Sequence, residues 1–195
     1  MVQRLRKLLP ETQNALKLAA CIGNQFDLVT LAVVCKTRQE KVAADLWQAL
    51  QEGLIIPESD TYKFFQGQEQ NHEGCEFTIS YRFLHDRVQQ AAYLLIPDSQ
   101  KQETHWHIGQ LLLNRRSETE VKENIFDIVN QLNHGLGLLQ SESERYQLAE
   151  LNLTAGHKAK RATAYASAMN YATLGLNMLP QQSWHRSAYW NLPKL

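Results

Sequence analysis

Tyr81-Arg82-Phe83-Leu84-His85-Asp86-Arg87-Val88-Gln89-Gln90-Ala91-Ala92-Tyr93 is the stretch on which the fold turns. Leading into it, Phe77, Ile79, Tyr81 and Phe83 alternate with Thr78, Ser80 and Arg82, the period of two of a half-buried strand. Past it, Val88, Ala91, Ala92 and Leu95 fall at helical spacing, and Pro97 closes the element. His85 and Asp86 therefore stand where a strand becomes the first turn of a helix. A carboxylate and a ring nitrogen placed there can cap free backbone amides, with the histidine tucked in, or meet an anionic ligand. The residues alone leave both readings open.

Upstream of this junction the pattern is helical. Pro10 opens a helix whose apolar set is Ala15, Leu16, Leu18, Ala19 and Ile22, and Gly23 is placed to end it. Asp27 can cap a second helix through Leu28, Leu31, Ala32 and Val34. Thr37 with Glu40 has the spacing of a capping box for a third, which runs to Glu52 before Gly53. Short strands are then expected over 54–56, 62–66 and 77–83, with the polar stretch 67–76 as a hairpin loop.

The pattern Phe-x-His-Asp-x-x-x-x-Ala-x-Tyr over residues 83–93, at a strand-to-helix step, resembles the winged-helix signature of the STAND ATPases, multidomain signal-transduction relatives of the AAA ATPases. More of the chain carries the likeness: Leu9-Pro10 with Thr12-Gln13, the run Leu16-Lys17-Leu18-Ala19-Ala20-Cys21-Ile22-Gly23-Asn24, the segment 46–55 from Leu46-Trp47 to Leu54-Ile55, Tyr62-Lys63-Phe64-Phe65, and Phe126-Asp127-Ile128-Val129-Asn130-Gln131-Leu132-Asn133. From Arg4 to Trp184 it is similar to one subgroup, the large bacterial and mainly cyanobacterial proteins that join a serine/threonine kinase, a STAND-type ATPase and a sensor histidine kinase. Three helices followed by a wing is the order of a winged helix.

Beyond Pro97 strand signals vanish, and long helices are expected over 98–116, 117–134 (with Ser117 and Glu120 as a capping box) and 143–163. Gly156, Ala168, Gly175 and Pro180 occupy the offsets at which a tetratricopeptide repeat carries its small residues and closing proline. Stacking normally needs three or more such units, so this pair is expected to begin an array continued in a longer protein. Residues 188–195, with Trp190 and Pro193, depart from a further helix of the family.

Composition narrows the function classes. The chain has 195 residues, 44% of them hydrophobic, enough to bury one core or two small ones. Lysine plus arginine equals aspartate plus glutamate at 20 each, so no global field draws in nucleic acid or an anionic surface. No apolar run reaches membrane-spanning length, and Arg4, Arg6 and Lys7 lack the apolar stretch of a signal peptide, so a cytoplasmic location without membrane contact is expected. Cys21 and Cys35 lie in apolar helical patterns as small hydrophobes, while Cys75 lies in a polar loop.

No Gly-x-x-x-x-Gly-Lys-Ser/Thr loop occurs, nor a Gly-x-Ser-x-Gly elbow, so the chain is expected to be neither an enzyme nor an ATP binder on its own. His105 and His107 flank Trp106, but residues two apart on a helix point to nearly opposite sides, and no zinc-site spacing accompanies them or the pair His72 and Cys75. The third helix mixes Arg38 and Lys41 with Glu40, Asp45 and Glu52, and the loop holds Glu69, Glu73 and Glu76, which argues against duplex DNA as the ligand of a winged helix. The cluster His157, Lys158, Lys160 and Arg161 reads as a solvated face.

These observations lead to a mainly α protein. A winged-helix domain with a small β-hairpin wing is expected over residues 1–97, followed over 98–195 by an α-helical arm with a tetratricopeptide-like pair near 145–180. The resemblance implies a regulatory segment whose His85, with Asp86 beside it, reaches the phosphates of ADP held by an upstream P-loop domain. ADP or ATP would bind only together with that domain. The partners implied are that ATPase domain, the kinase domains and a protein ligand on the arm. A helical scaffold that binds a protein, and a winged-helix DNA regulator, are the alternatives.

Overall fold

The computed structural model describes residues 1–58, 79–114 and 117–179. The expected strand 62–66, the hairpin loop with His72, Cys75 and its three glutamates, Pro180 and residues 188–195 lie outside these. The described chain is mainly helical, with one small antiparallel sheet: α1 (Val2–Leu5), α2 (Pro10–Ile22), β1 (Gln25–Asp27), α3 (Leu28–Cys35), α4 (Gln39–Gln51), β2 (Ile55–Pro57), β3 (Ser80–Phe83), α5 (Asp86–Tyr93), α6 (Asp98–Asn114), α7 (Glu118–Glu123), α8 (Ile125–His134), α9 (Glu142–Arg161) and α10 (Tyr165–Met178).

Proline begins α2 because its fixed φ suits the first helical position and its missing N–H has no intrahelical use there. Asp27 caps α3, its Oδ1 accepting the Thr30 N–H at 2.6 Å. The capping box expected from Thr37 and Glu40 is not formed: Arg38 holds the N-cap position of α4 without a side-chain bond. The reason lies one turn earlier. Lys36 adopts the left-handed conformation at φ 55°, and the Lys36 and Thr37 amides donate back to the Val33 and Ala32 carbonyls. Thr37 thus belongs to the closure of α3, and α4 starts after it.

The sheet has β3 in the centre, paired antiparallel with β1 on one side (Phe26 opposite Tyr81) and β2 on the other (Ile55 opposite Phe83). Phe26 stacks on Tyr81 with ring centroids 5.8 Å apart, and Phe83 is fully buried, whereas Arg82 between them faces solvent. β1 was not expected: three residues with one apolar side chain carry no readable alternation.

Three apolar clusters form among the described residues, the smallest of them Ile125, Val129, Ala155, Ala159 and Tyr171. The first gathers Leu16, Leu28, Leu31, Leu46, Ile79 and Phe83 from α2, α3, α4 and the sheet side. The second joins Cys21 and Val34 to Ile108, Leu112, Ile128 and Leu148, so helices on both sides of Pro97 share it.

The single helix expected over 117–134 is two. The Ser117 capping box forms, but Asn124 leaves helical geometry at φ −104° and ψ 23°, and its side-chain amide donates to the Glu120 carbonyl. Lys158 of α9 covers the exposed end, donating to the Lys122 and Glu123 carbonyls at 3.0 and 2.6 Å while lying 5.4 Å from the Phe126 ring centre. It is therefore not the purely solvated lysine expected. α9 starts earlier than expected, because Ser141 with Glu144 makes the capping box. α9 and α10 pack antiparallel and close: a Cβ on Gly175 would lie 3.2 Å from the Ala149 carbonyl oxygen, and one on Gly156 would lie 3.5 Å from that of Ala168. No helix among the described residues is long and apolar enough to cross a membrane.

Candidate anion site at the strand-to-helix step

Three backbone contacts hold the step between β3 and α5. The Phe83 N–H donates to the Asn24 carbonyl at 2.9 Å and the Leu84 N–H to the Leu54 carbonyl at 3.0 Å. The His85 carbonyl then accepts from Val88 at 2.8 Å, which starts the helix. Farther along, the Gln89 side-chain amide donates to the Ala20 carbonyl at 3.2 Å and fastens α5 to α2.

His85 occupies the N-cap position in extended geometry, φ −146° and ψ 148°, and its imidazole caps nothing. The tucked cap that the residues allowed is not made. His85, Asp86 and Arg87 are all exposed, as is Arg82 in β3. With Asn24, Phe83 and Leu84 they line an open concavity of about 530 Å³. Among the described residues none of the side chains of Arg82, His85, Asp86 and Arg87 makes a hydrogen bond or ion pair.

Two arginines, a histidine and an aspartate thus line one concavity beside the first turn of α5. The leading amides of a helix have no intrahelical acceptor, and the helix dipole favours an anion at that end. Planar guanidinium forks match phosphate and carboxylate oxygens. Sequence reasoning named His85 and Asp86 but passed over Arg82, which it treated only as the polar phase of a strand, and Asn24. The alternation itself held the signal for Arg82, since it places that side chain on the solvent face two residues before the step.

The other residues weighed for chemistry separate. His105 is buried and His107 exposed, on opposite sides of α6. Among the described residues no three histidine, cysteine or acidic side chains gather for a metal ion. Burial pushes the Cys21 thiol up to about 12 and the Cys35 thiol to about 11, so neither carries a thiolate nucleophile near neutrality. On α4, Lys41 is bound to Asp45 at 2.6 Å, and Arg4 reaches over to Glu52 at 2.8 Å.

The chain is similar to "Hybrid signal transduction histidine kinase G" of Dictyostelium discoideum, with 30% identity over an alignment 228 positions long that takes in 98% of this chain and 7% of that protein. The chain therefore corresponds to a small segment of a signal-transduction protein, spanning 7% of the length of the curated relative it matches. No protein-family model matches the chain. No solved structure matches it.

Proposed function

We propose that this chain is the regulatory segment of a STAND-type ATPase within a serine/threonine kinase and histidine kinase signalling protein, where it senses nucleotide state and relays it. The observation that carries the reading is the exposed set of Arg82, His85 and Arg87 at the step from β3 to α5, whose side chains have no partner among the described residues. Its donors suit a phosphate, and the whole of the concavity's lining, Asn24 and the run 82–87, is short for a complete nucleotide. The remainder of an ADP or ATP molecule must then be held by another part of the polypeptide, as an upstream P-loop domain would do. On its own the chain takes no cofactor and catalyses nothing in this reading.

Residues 1–97 act as the winged-helix unit: the three helices α2 to α4 and the sheet centred on β3 support that assignment. Residues 98–195 act as the arm, and the closely packed pair α9 and α10 supports its tetratricopeptide-like character. Likeness to a segment of a histidine kinase supports the signalling setting, which is cytoplasmic. The partners are the upstream ATPase domain and the kinase domains.

A second reading, a scaffold for a protein ligand, is favoured by one feature. Tyr165, Met169 and Leu176 are 65%, 70% and 51% exposed and share one stripe of α10. That stripe also suits an arm that receives a signal. DNA binding draws little support, because the cations of α4 and α1 are already paired with Asp45 and Glu52. The deciding experiment replaces His85 by Ala in the longer polypeptide and follows ADP retention. Faster ADP loss supports the lid; an unchanged rate removes it.

A further inference from the structure

A buried polar chain crosses the seam between the first helical group and the arm. The Tyr93 hydroxyl lies 2.9 Å from His105 Nε2, His105 Nδ1 lies 2.7 Å from Gln131 Oε1, and Gln131 Nε2 donates to the Cys21 carbonyl at 2.7 Å. These four residues come from α5, α6, α8 and α2. His105 and Gln131 are each only 5% exposed. Every atom in the chain has one partner, and the partners determine where the protons are.

The Cys21 carbonyl can only accept, so the Gln131 amide must turn its nitrogen toward it and its oxygen toward His105. Nδ1 must then carry the hydrogen, which leaves Nε2 as the acceptor for the Tyr93 hydroxyl. This neutral tautomer satisfies the whole network. A second proton would sit on Nε2 against the tyrosine oxygen. The hydroxyl would have to swing its own hydrogen away, and a charge would be buried among groups that do not compensate it.

Among the described residues those groups are few. From α8, His134 stacks on His105 with ring centroids 4.5 Å apart, while Asp127 of the same helix bears on Tyr171 instead. From α5 comes Tyr93 and from α2 the Cys21 thiol, whereas the one titratable group of α3, Cys35, bears on Asp45 of α4 instead. On α6 itself, Lys101 stands over the Tyr93 ring at 4.8 Å and binds Asp98 at 2.6 Å, so that acid is already paired. Burial, first, holds the His105 pKa below its ordinary value; the hydrogen bond to Gln131 works the other way, and His134 and Lys101 add to the lowering.

We infer that His105 is a pH-sensitive latch that fastens the helical arm to the first helical group while its imidazole is neutral and releases it on protonation. The latch lies at Tyr93, the opposite end of α5 from the His85 site, but it needs no ligand there and stands independently of the function proposed above.

The sign follows from linkage. A released His105 titrates near the ordinary 6.5, and the latched one lower. Above about 6.5 both are neutral and closure does not depend on pH. Below it the open form takes the proton first, so closure weakens as pH falls, by up to about tenfold per pH unit for one proton, and levels off under the latched pKa.

Native-state hydrogen exchange on the full chain, corrected for intrinsic rates, measures the opening of α6 and α8 between about pH 5.5 and about pH 7.5. Opening in the unaltered chain should rise on acidification by roughly that factor. His107→Gln and His134→Gln should keep the slope, whereas His105→Gln should open more and show none. A flat unaltered profile, or a slope that survives in His105→Gln, overturns the latch; so does a slope lost with His134 instead. Should His105→Gln fail to fold, imidazole NMR of the unaltered chain decides. A neutral Nδ1–H ring titrating below the ordinary range together with the α6 and α8 amides sustains the inference. A ring that titrates at or above 6.5 ends it.

Discussion

Asp27 stands just before an apolar run, and its carboxylate takes the Thr30 amide at 2.6 Å. Asp27→Ala should cost about 1 kcal/mol, read as a lower denaturant midpoint at unchanged slope. That residue was legible because a cap needs only a short polar side chain at the right offset. Thr37 and Glu40 offered the same signal and were overruled, since the left-handed Lys36 draws Thr37 into closing α3. His85 was legible in position but not in orientation. A sequence can place it at a helix start, yet whether its ring folds back onto the amides or faces out depends on how β3 is anchored to Asn24 and Leu54, residues far away along the chain. Because the ring caps nothing, His85→Ala should leave the melting temperature of the isolated chain unchanged, and a fall of several degrees would return the residue to a structural role.

At the scale of elements, periodicity located the long helices and lost their junctions. The break at Asn124 arises from its own side chain and from Lys158 of α9, a partner that no local window contains. The α6–α8 crossing was likewise hidden. Gly109 lets these helices meet so closely that a Cβ there would lie 2.6 Å from Leu132 Cδ2 and 3.1 Å from the Leu132 backbone nitrogen. Gly109→Ala should therefore destabilise the chain by about 1 to 3 kcal/mol despite the better helix propensity of alanine, and a stabilised variant would contradict the packing. The start of α9 should depend on acid. The Ser141 amide, and after it the Gln140 amide, hold the Glu144 carboxyl below its ordinary 4.5. Its contribution is thus complete above that value and is lost as pH falls through the lower folded pKa. Exchange protection of the first turn of α9 should decline over that range, and in Glu144→Gln it should be low throughout.

For the whole molecule, the mainly helical class and the small sheet were readable from the switch of period at residues 77–95, while the shared core of Cys21, Val34, Ile108 and Ile128 was not. Separate amphipathic patterns do not say which faces meet. That core and the His105 chain tie α5 to the arm, so a change at the His85 site has a packed route along α5 to α6 and α8. The isolated chain should bind neither ATP nor ADP at micromolar concentration in calorimetry, with or without magnesium, because the site has phosphate donors and no P-loop. The most direct test of the account is the ADP off-rate of His85→Ala in the longer polypeptide with its upstream nucleotide domain. Loss of a hydrogen bond to a charged phosphate, roughly 1.5 to 3 kcal/mol, should speed ADP release about tenfold to hundredfold and raise basal kinase output. An off-rate equal to that of the unaltered protein would contradict it.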